Sequence, residues 1–337
     1  MRRSISFIMF ALAAGILSIL SPVASAATSS SPSAAPGPQG TFGVRLVDVP
    51  VSEAGNPRAL RYIIDYLPTG AVIHRRILVA NDEARTARFS VYADAAYISG
   101  GEFVGYAGAT RNELTNWISV QHPAVTLAAG QSVMDMVTIR VPPGATRGEH
   151  YGVIWVQQSS QARNHAGIGV LEVARVGIRV YLAVGPGGAP PTSFDITSVT
   201  GHLTDAGRPV IVAHVNNTGG RAIDLSGTVR LADGPADTSA GPFRVQRIVT
   251  LAPGQSWNVT FTLPHSLPVG SWRATVTLAS GLTSATATAT VLLAPVVAQA
   301  FVSGMQLIWL ALIAFVGVLA AVMGRYAWRH RRRQSPA

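Results

Sequence analysis

Residues 127–132 read LAAGQS, and residues 251–256 return the phrase as LAPGQS; each copy is followed by an alternating apolar run that ends in prolines and a glycine. Alternation with a period of two is the mark of a strand, because successive side chains leave a strand on opposite faces. After the second copy, Trp257, Val259, Phe261 and Leu263 alternate with Asn258, Thr260 and Thr262. Trp272, Ala274, Val276 and Leu278, interleaved with Arg273, Thr275 and Thr277, repeat the pattern one strand later, and Pro264, Pro268 and Gly270 make the turn between. After the first copy, Val137, Ile139 and Val141 share a face, PPGATRG forms the turn, and HYGVIWVQ from His150 is the next strand.

Upstream of each copy a strand breaks at asparagine: IHRRILVAND at Asn81, and PVIVAHVNNTGG at Asn216 and Asn217. Asparagine tolerates the left-handed geometry such a break needs. Gly130 and Gly254 then supply a tight turn into the following strand, with Leu127 and Leu251 as the last apolar plugs of the strand before. The same order of strands and turns, stated twice, predicts an all-β chain of two tandem immunoglobulin-like β-sandwiches.

The first sandwich is expected over residues 41–188, closing with a strand in which Val176, Ile178, Val180, Leu182 and Val184 alternate with Gly177, Arg179, Tyr181 and Ala183. Residues 189–192 form a linker, and the second sandwich is expected over 193–294. At the N-terminus, Arg2 and Arg3, an apolar run and the small-residue site Ala24-Ser25-Ala26 predict a signal peptide over 1–26, followed by a flexible linker over 27–40. Near the other end a juxtamembrane segment, 295–304, leads into residues 305–324, which carry no charge. At ~1.5 Å per residue a helix of about that length crosses a ~30 Å hydrocarbon core. The arginines of residues 325–337 then predict a cytoplasmic tail, a single-pass cell-membrane protein and an ectodomain outside.

Charge and cysteine usage narrow the function classes. The net charge is +10, but seven of the 26 basic residues flank the two ends, leaving 19 against 16 acids in between. That balance argues against a nucleic-acid partner. The absence of cysteine excludes disulfides and thiolate metal sites. The eight histidines are scattered without ligand spacing, and no nucleophile elbow, phosphate loop or dinucleotide fingerprint is present. No catalytic residue, cofactor or metal is expected, and the chain is read as a non-enzyme.

The first sandwich carries about a dozen more residues between its asparagine turn and its GQS turn than the second. They fall in or near YADAAYISGGEFVGYAGATRNELTNWISV, where Tyr97, Phe103 and Tyr106 lie beside Gly100, Gly101, Gly105 and Gly108. Amphipathic rings among glycines suit a loop or extra hairpin that stacks on a ligand, so these three are the candidate ligand-binding residues. Trp117, next to Ile118, is expected in the core.

With its FGVR opening, ILVAND, NWISV, VTLAAGQS and VTIRVPPGATRGEHYGVIWV, followed by a second sandwich, one span and a basic tail, the chain resembles the WxL-interacting protein family of Gram-positive cell surfaces. The resemblance implies a first domain that binds peptidoglycan or another wall polymer. It also implies a second domain that binds host matrix or a partner, and a WxL-domain surface protein as companion. The expected function is accordingly a non-catalytic, membrane-anchored surface binder. The alternative is an assembly factor or chaperone that pairs an exposed edge strand, such as residues 176–184, with a client protein.

Overall fold

The computed structural model describes residues 42–163 and 169–294, together with 312, 315–316 and 318–325 near the C-terminus. The expected signal peptide, the 27–40 linker, the juxtamembrane segment and all of the basic tail but Arg325 lie outside the described residues. Within the expected span, the described pieces are helical and exposed, and the rest lies outside them. No helix among the described residues is long and apolar enough to cross a membrane. Since about 20 apolar residues in one helix are needed for the crossing, the expected single-pass membrane localisation, with its outer ectodomain and cytoplasmic tail, is corrected.

The described chain is all-β and forms two sandwiches. The first comprises β1 (Gly43–Leu46), β2 (Ile63–Leu67), β3 (Val72–Ala80), β4 (Ala87–Ser99), β5 (Glu102–Gly105), a short helix α1 (Glu113–Trp117), β6 (Ile118–Val120), β7 (Ala124–Leu127), β8 (Ser132–Arg140), β9 (Gly148–Arg163) and β10 (Gly169–Val184). One sheet has the order β1-β3-β8-β6; the other has β2-β10-β9-β4-β5, with β7 also paired to β4. All pairings are antiparallel except that of β2 with β10. The alternating residues of facing strands make the core: Ile77 and Val79, Phe89 and Val91, Val137 and Ile139, Ile154 and Val156, Ile178 and Val180.

The second comprises β11 (Phe194–Leu203), β12 (Pro209–Asn217), β13 (Ile223–Ala232), β14 (Ala240–Arg244), β15 (Val249–Leu251), β16 (Ser256–Thr262), β17 (Gly270–Ser280) and β18 (Thr283–Leu293). Its sheets are β11-β12-β16 and β14-β13-β17-β18, with β15 on β13. Val259, Phe261, Trp272, Ala274, Val276 and Leu278 fill its core, as their alternation requires.

The repeated phrase has a structural cause. The Asn81 side-chain amide donates to the carbonyls of Arg85, Leu127 and Ala128 at 2.9–3.0 Å, and its Oδ1 accepts from the Glu83 N–H. The Asn81 backbone exchanges bonds with the GQS turn: its N–H donates to Gln131 O, and its C=O accepts from Gly130 N–H. In the second sandwich Asn217 bonds Arg221 O and Leu251 O in the same way, accepts from Gly219 N–H, and exchanges backbone bonds with Gln255 and Gly254. Gln131 and Gln255 each fold back to accept from the N–H three residues earlier. Gly130 and Gly254 have φ of 70° and 76°, which a side chain would strain. The asparagine turn and the GQS turn are therefore two halves of one clasp, and each sandwich has one.

The insert begins as a hairpin, with β4 turning into β5 at Gly100 and Gly101. Its end is α1, capped reciprocally: Thr115 N–H donates to Asn112 Oδ1, and Asn112 N–H donates to Thr115 Oγ1. Trp117 is buried, as expected, but it ends a helix; the strand begins one residue later.

Candidate functional site: a charged seam and a free strand edge

Two features stand apart from the cores. The first is the seam between the sandwiches, centred on Asp224 of β13, whose side chain is 4% exposed. Arg58, in the segment before β2, places Nε 2.8 Å and Nη2 2.7 Å from Asp224 Oδ2. On Oδ1, the Thr250 hydroxyl donates at 2.7 Å, Arg179 Nη1 at 3.1 Å and the Tyr181 hydroxyl at 3.2 Å. A carboxylate taken out of water in this way is tolerable only because it is paired and hydrogen-bonded on both oxygens. Burial alone would lower the Arg58 pKa, but the charge and hydrogen bond of Asp224 together with Tyr181 and Glu149 outweigh it and hold the pKa above its ordinary value. Burial pushes the Tyr181 and Tyr151 hydroxyls well up, so both stay protonated donors.

Glu149 of β9 belongs to the same seam. Its Oε2 accepts from Ala222 N–H at 2.6 Å and from the Tyr151 hydroxyl at 2.7 Å, and burial holds its carboxyl above the ordinary value of 4.5. Glu53 receives Arg221 at 2.7 Å across the seam; burial would raise its pKa, but Arg221 and Asn56 together hold it low. Backbone joins backbone where Thr250 N–H donates to Gly101 O at 2.8 Å. Gly101, at φ 74°, turns β4 into β5 against the Trp257 ring, and an added Cβ would lie 2.5 Å from that ring.

The seam takes one of the three candidate aromatic residues. Phe103 packs on Tyr181, with ring centroids 5.2 Å apart, and lies under the Arg179 guanidinium at 4.8 Å. It is a partly buried residue of the seam. Tyr97, in β4, and Tyr106, just after β5, stay together on that hairpin, with centroids 5.2 Å apart and exposures of 40% and 46%. The structure thus gathers Tyr97 and Tyr106 and places Phe103 in the seam. The seam residues Arg58, Glu149, Arg179 and Asp224 escaped the sequence reading. A signal was present in Arg179 and Tyr181, polar groups set among the apolar residues of an otherwise core-like strand.

The second feature is the hairpin of β9 and β10, which outruns its own sheet. The two strands pair over their whole length, Gly148–Arg163 with Gly169–Val184. On the β9 side, β4 reaches only Gln157; on the β10 side, β2 pairs only Val180 to Val184. Residues 169–179 of β10 therefore have β9 on one side and no strand on the other among the described residues. Gly185 N–H donates to Leu67 O, toward β2. By the alternation of a strand, Leu171, Val173, Arg175, Gly177 and Arg179 also turn their N–H and C=O away from β9. Leu171 is 65% and Val173 36% exposed. The edge strand expected over 176–184 is thus free only in its first part, since β2 occupies the rest.

Among the described residues, no group of three or more His, Asp or Glu is placed to hold a metal. Compared with known proteins, the chain matches no family model and no curated protein. Solved structures similar to it include the Salmonella enterica SafA pilin in complex with the SafB chaperone, at 12% identity and a TM-score of 0.38, covering 74% of this chain and 96% of that one. The YadV chaperone is similar at 8% identity and a TM-score of 0.39, covering 74% and 99%. The E. coli chaperone DraB is similar at 14% identity and a TM-score of 0.37, covering 74% and 98%.

The expected membership of the WxL-interacting family is corrected: no family model and no curated protein matches the chain. With it go the Gram-positive surface, the peptidoglycan or wall-polymer ligand, the WxL-domain companion and the membrane as partner. The physical reason lies in the residues that carried the resemblance. FGVR is β1 and its lead-in, ILVAND and VTLAAGQS are the two halves of the clasp, and NWISV joins α1 to β6. They are parts of the scaffold and report no ligand.

Proposed function

We propose that the chain is a non-catalytic assembly factor that holds a client polypeptide by adding one of its extended segments to the free edge of β10. The observation that carries this reading is the stretch 169–179, a regular strand with one side unpaired and apolar side chains exposed along it. Unpaired N–H and C=O groups in a row are a template for another strand, and the main-chain bonds give affinity whatever the client's sequence. Exposed Leu171 and Val173 supply apolar contacts beside those bonds. The seam supports the same reading, because ion pairs across it fix the second sandwich against the first, from which the ribbon projects.

The test is photo-crosslinking in the native cell, with a photoreactive residue placed at Leu171 of the full chain and, as control, at Thr286 on the exposed face of β18. The expected result is one discrete protein adduct at position 171 and none at 286. Val173→Pro removes an outward N–H and none of the bonds to β9, and it should reduce the adduct at least tenfold. Equal adducts at both positions, or an adduct indifferent to Val173→Pro, would overturn the reading.

A further inference from the structure

The sandwiches differ in how their edges are guarded. In the second, β14 is short and carries Pro242, which has no N–H to offer. β18 runs beside β11, whose Leu203 N–H donates to Ala294 O. β16 has neither protection. It reads SWNVTFT, with no charge and no proline, and it pairs only with β12 among the described residues.

Which backbone groups it leaves open follows from its neighbours. Leu263 N–H donates to Pro209 O, and Gln255 O accepts from Asn217 N–H, so odd-numbered residues face inward, toward β12. Thr262 faces the other way: its N–H donates to Gln246 Oε1, and its C=O accepts from Gln246 Nε2. Ser256, Asn258 and Thr260 share that outward direction by alternation, and among the described residues nothing bonds their backbone groups. The Gln246 side chain stands in for a strand at one end of the edge and stops there.

We infer that β16 pairs with β16 of a second copy of this chain, antiparallel about a two-fold axis through Asn258. In that register Ser256 of one copy faces Thr260 of the other and Asn258 faces Asn258, so every outward N–H and C=O of the three residues finds its partner. Sliding by one pair brings Thr262, already taken by Gln246, or Gly254, held in the clasp turn, against the partner strand. The only register that uses the whole open edge is the self-complementary one. It joins the two three-stranded sheets into one of six strands. No like charges meet, because the strand has none. The edge of β10 lacks this property: some antiparallel registers bring Glu172 onto Glu172, Arg175 onto Arg175, or Arg175 onto Arg179 of the second copy. This inference does not depend on the client-binding reading.

The chain has no cysteine, which makes the test direct. In a hydrogen-bonded antiparallel pair the opposed Cα atoms are ~5.5 Å apart, within the ~4.4–6.8 Å that a disulfide spans. Asn258→Cys in the full chain should form a disulfide-linked dimer under mild oxidation at least tenfold faster than Thr286→Cys. In sedimentation, the unmodified chain should show a concentration-dependent dimer. Thr260→Pro removes one outward N–H and no bond to β12, and it should leave a monomer with an unchanged β-sheet spectrum. Equal oxidation rates at 258 and 286, a monomer at all concentrations, or a dimer that survives Thr260→Pro would overturn the inference. Client crosslinking at Leu171 is unaffected by either variant, so the failure of one reading is distinguishable from that of the other.

Discussion

The clasp inside each sandwich and the seam between them both bury a polar side chain, and they do so by opposite means. Asn81 and Asn217 are neutral and satisfy backbone groups within their own sandwich, closing loops of 46 and 34 residues to Leu127 and Leu251. Asp224 is charged and collects partners from both sandwiches, with Arg58 separated from it by 166 residues. A clasp fixes a local turn and can be copied with the sandwich that holds it. The seam exists once, because it needs two different sandwiches to supply its two signs. Local order here is carried by amides, and the arrangement of the two halves by ions.

The comparison is broken most severely at the seam. Asp224→Ala leaves the buried Arg58 without its paired carboxylate, and removing one partner of such a pair costs about 3–5 kcal/mol. The expected outcome is a separation of thermal unfolding into two transitions, read by calorimetry, as the sandwiches lose their joint. A single transition shifted by less than a degree would mean that the ions do not hold the seam.

The clasps sharpen the comparison at intermediate size. An unmade bond to a buried backbone carbonyl costs about 1–3 kcal/mol. Asn81 donates to three carbonyls and Asn217 to two. Asn81→Ala should therefore destabilise its sandwich more than Asn217→Ala does, in denaturant titrations of the full chain. In the Asp224→Ala background, where the two transitions separate, each loss should fall in one transition only; a loss shared by both would show that the clasps are not local.

The smallest effect is one of pH. Glu149 is held high by burial, so as pH rises above 4.5 the unfolded chain releases a proton that the folded chain keeps, and stability from this group falls through that window. Glu53 runs the other way: its low value gives stability that is present above 4.5 and is lost as pH falls through the folded value. Melting curves of Glu149→Gln should gain on the unmodified chain as pH is raised above 4.5. Parallel curves would show that Glu149 titrates as an exposed carboxyl.

The same contrast explains what the sequence made legible. The clasp could be read because its parts lie near strand ends, recur in order, and use residue types with a turn preference: Asn81, Gly130 and Gln131, then Asn217, Gly254 and Gln255. Their mutual bonding was not legible, since neither turn names the other. The core followed from alternation alone. The packing of Phe103 on Tyr181 was not legible, because a ring among glycines looks the same in sequence whatever it faces. The helix α1 was missed because five residues are too few for a period to register. Arg58 and Asp224 could not be paired from sequence, since nothing local to either announces a partner so far along the chain. The ribbon of β9 and β10 was half legible: the strand was evident, but where its neighbours stop is a property of β2 and β4.

Where Gly101 turns against Trp257, the two halves of the molecule meet like a peg and its socket, with no room for a single extra carbon. Together with the ions beside it, that fit removes a joint at which the halves could swivel. On the proposed reading, a polypeptide gripped on the ribbon would be presented at a bearing fixed relative to the second sandwich, and accommodation to guests of different outline would have to come from the bending of the ribbon itself.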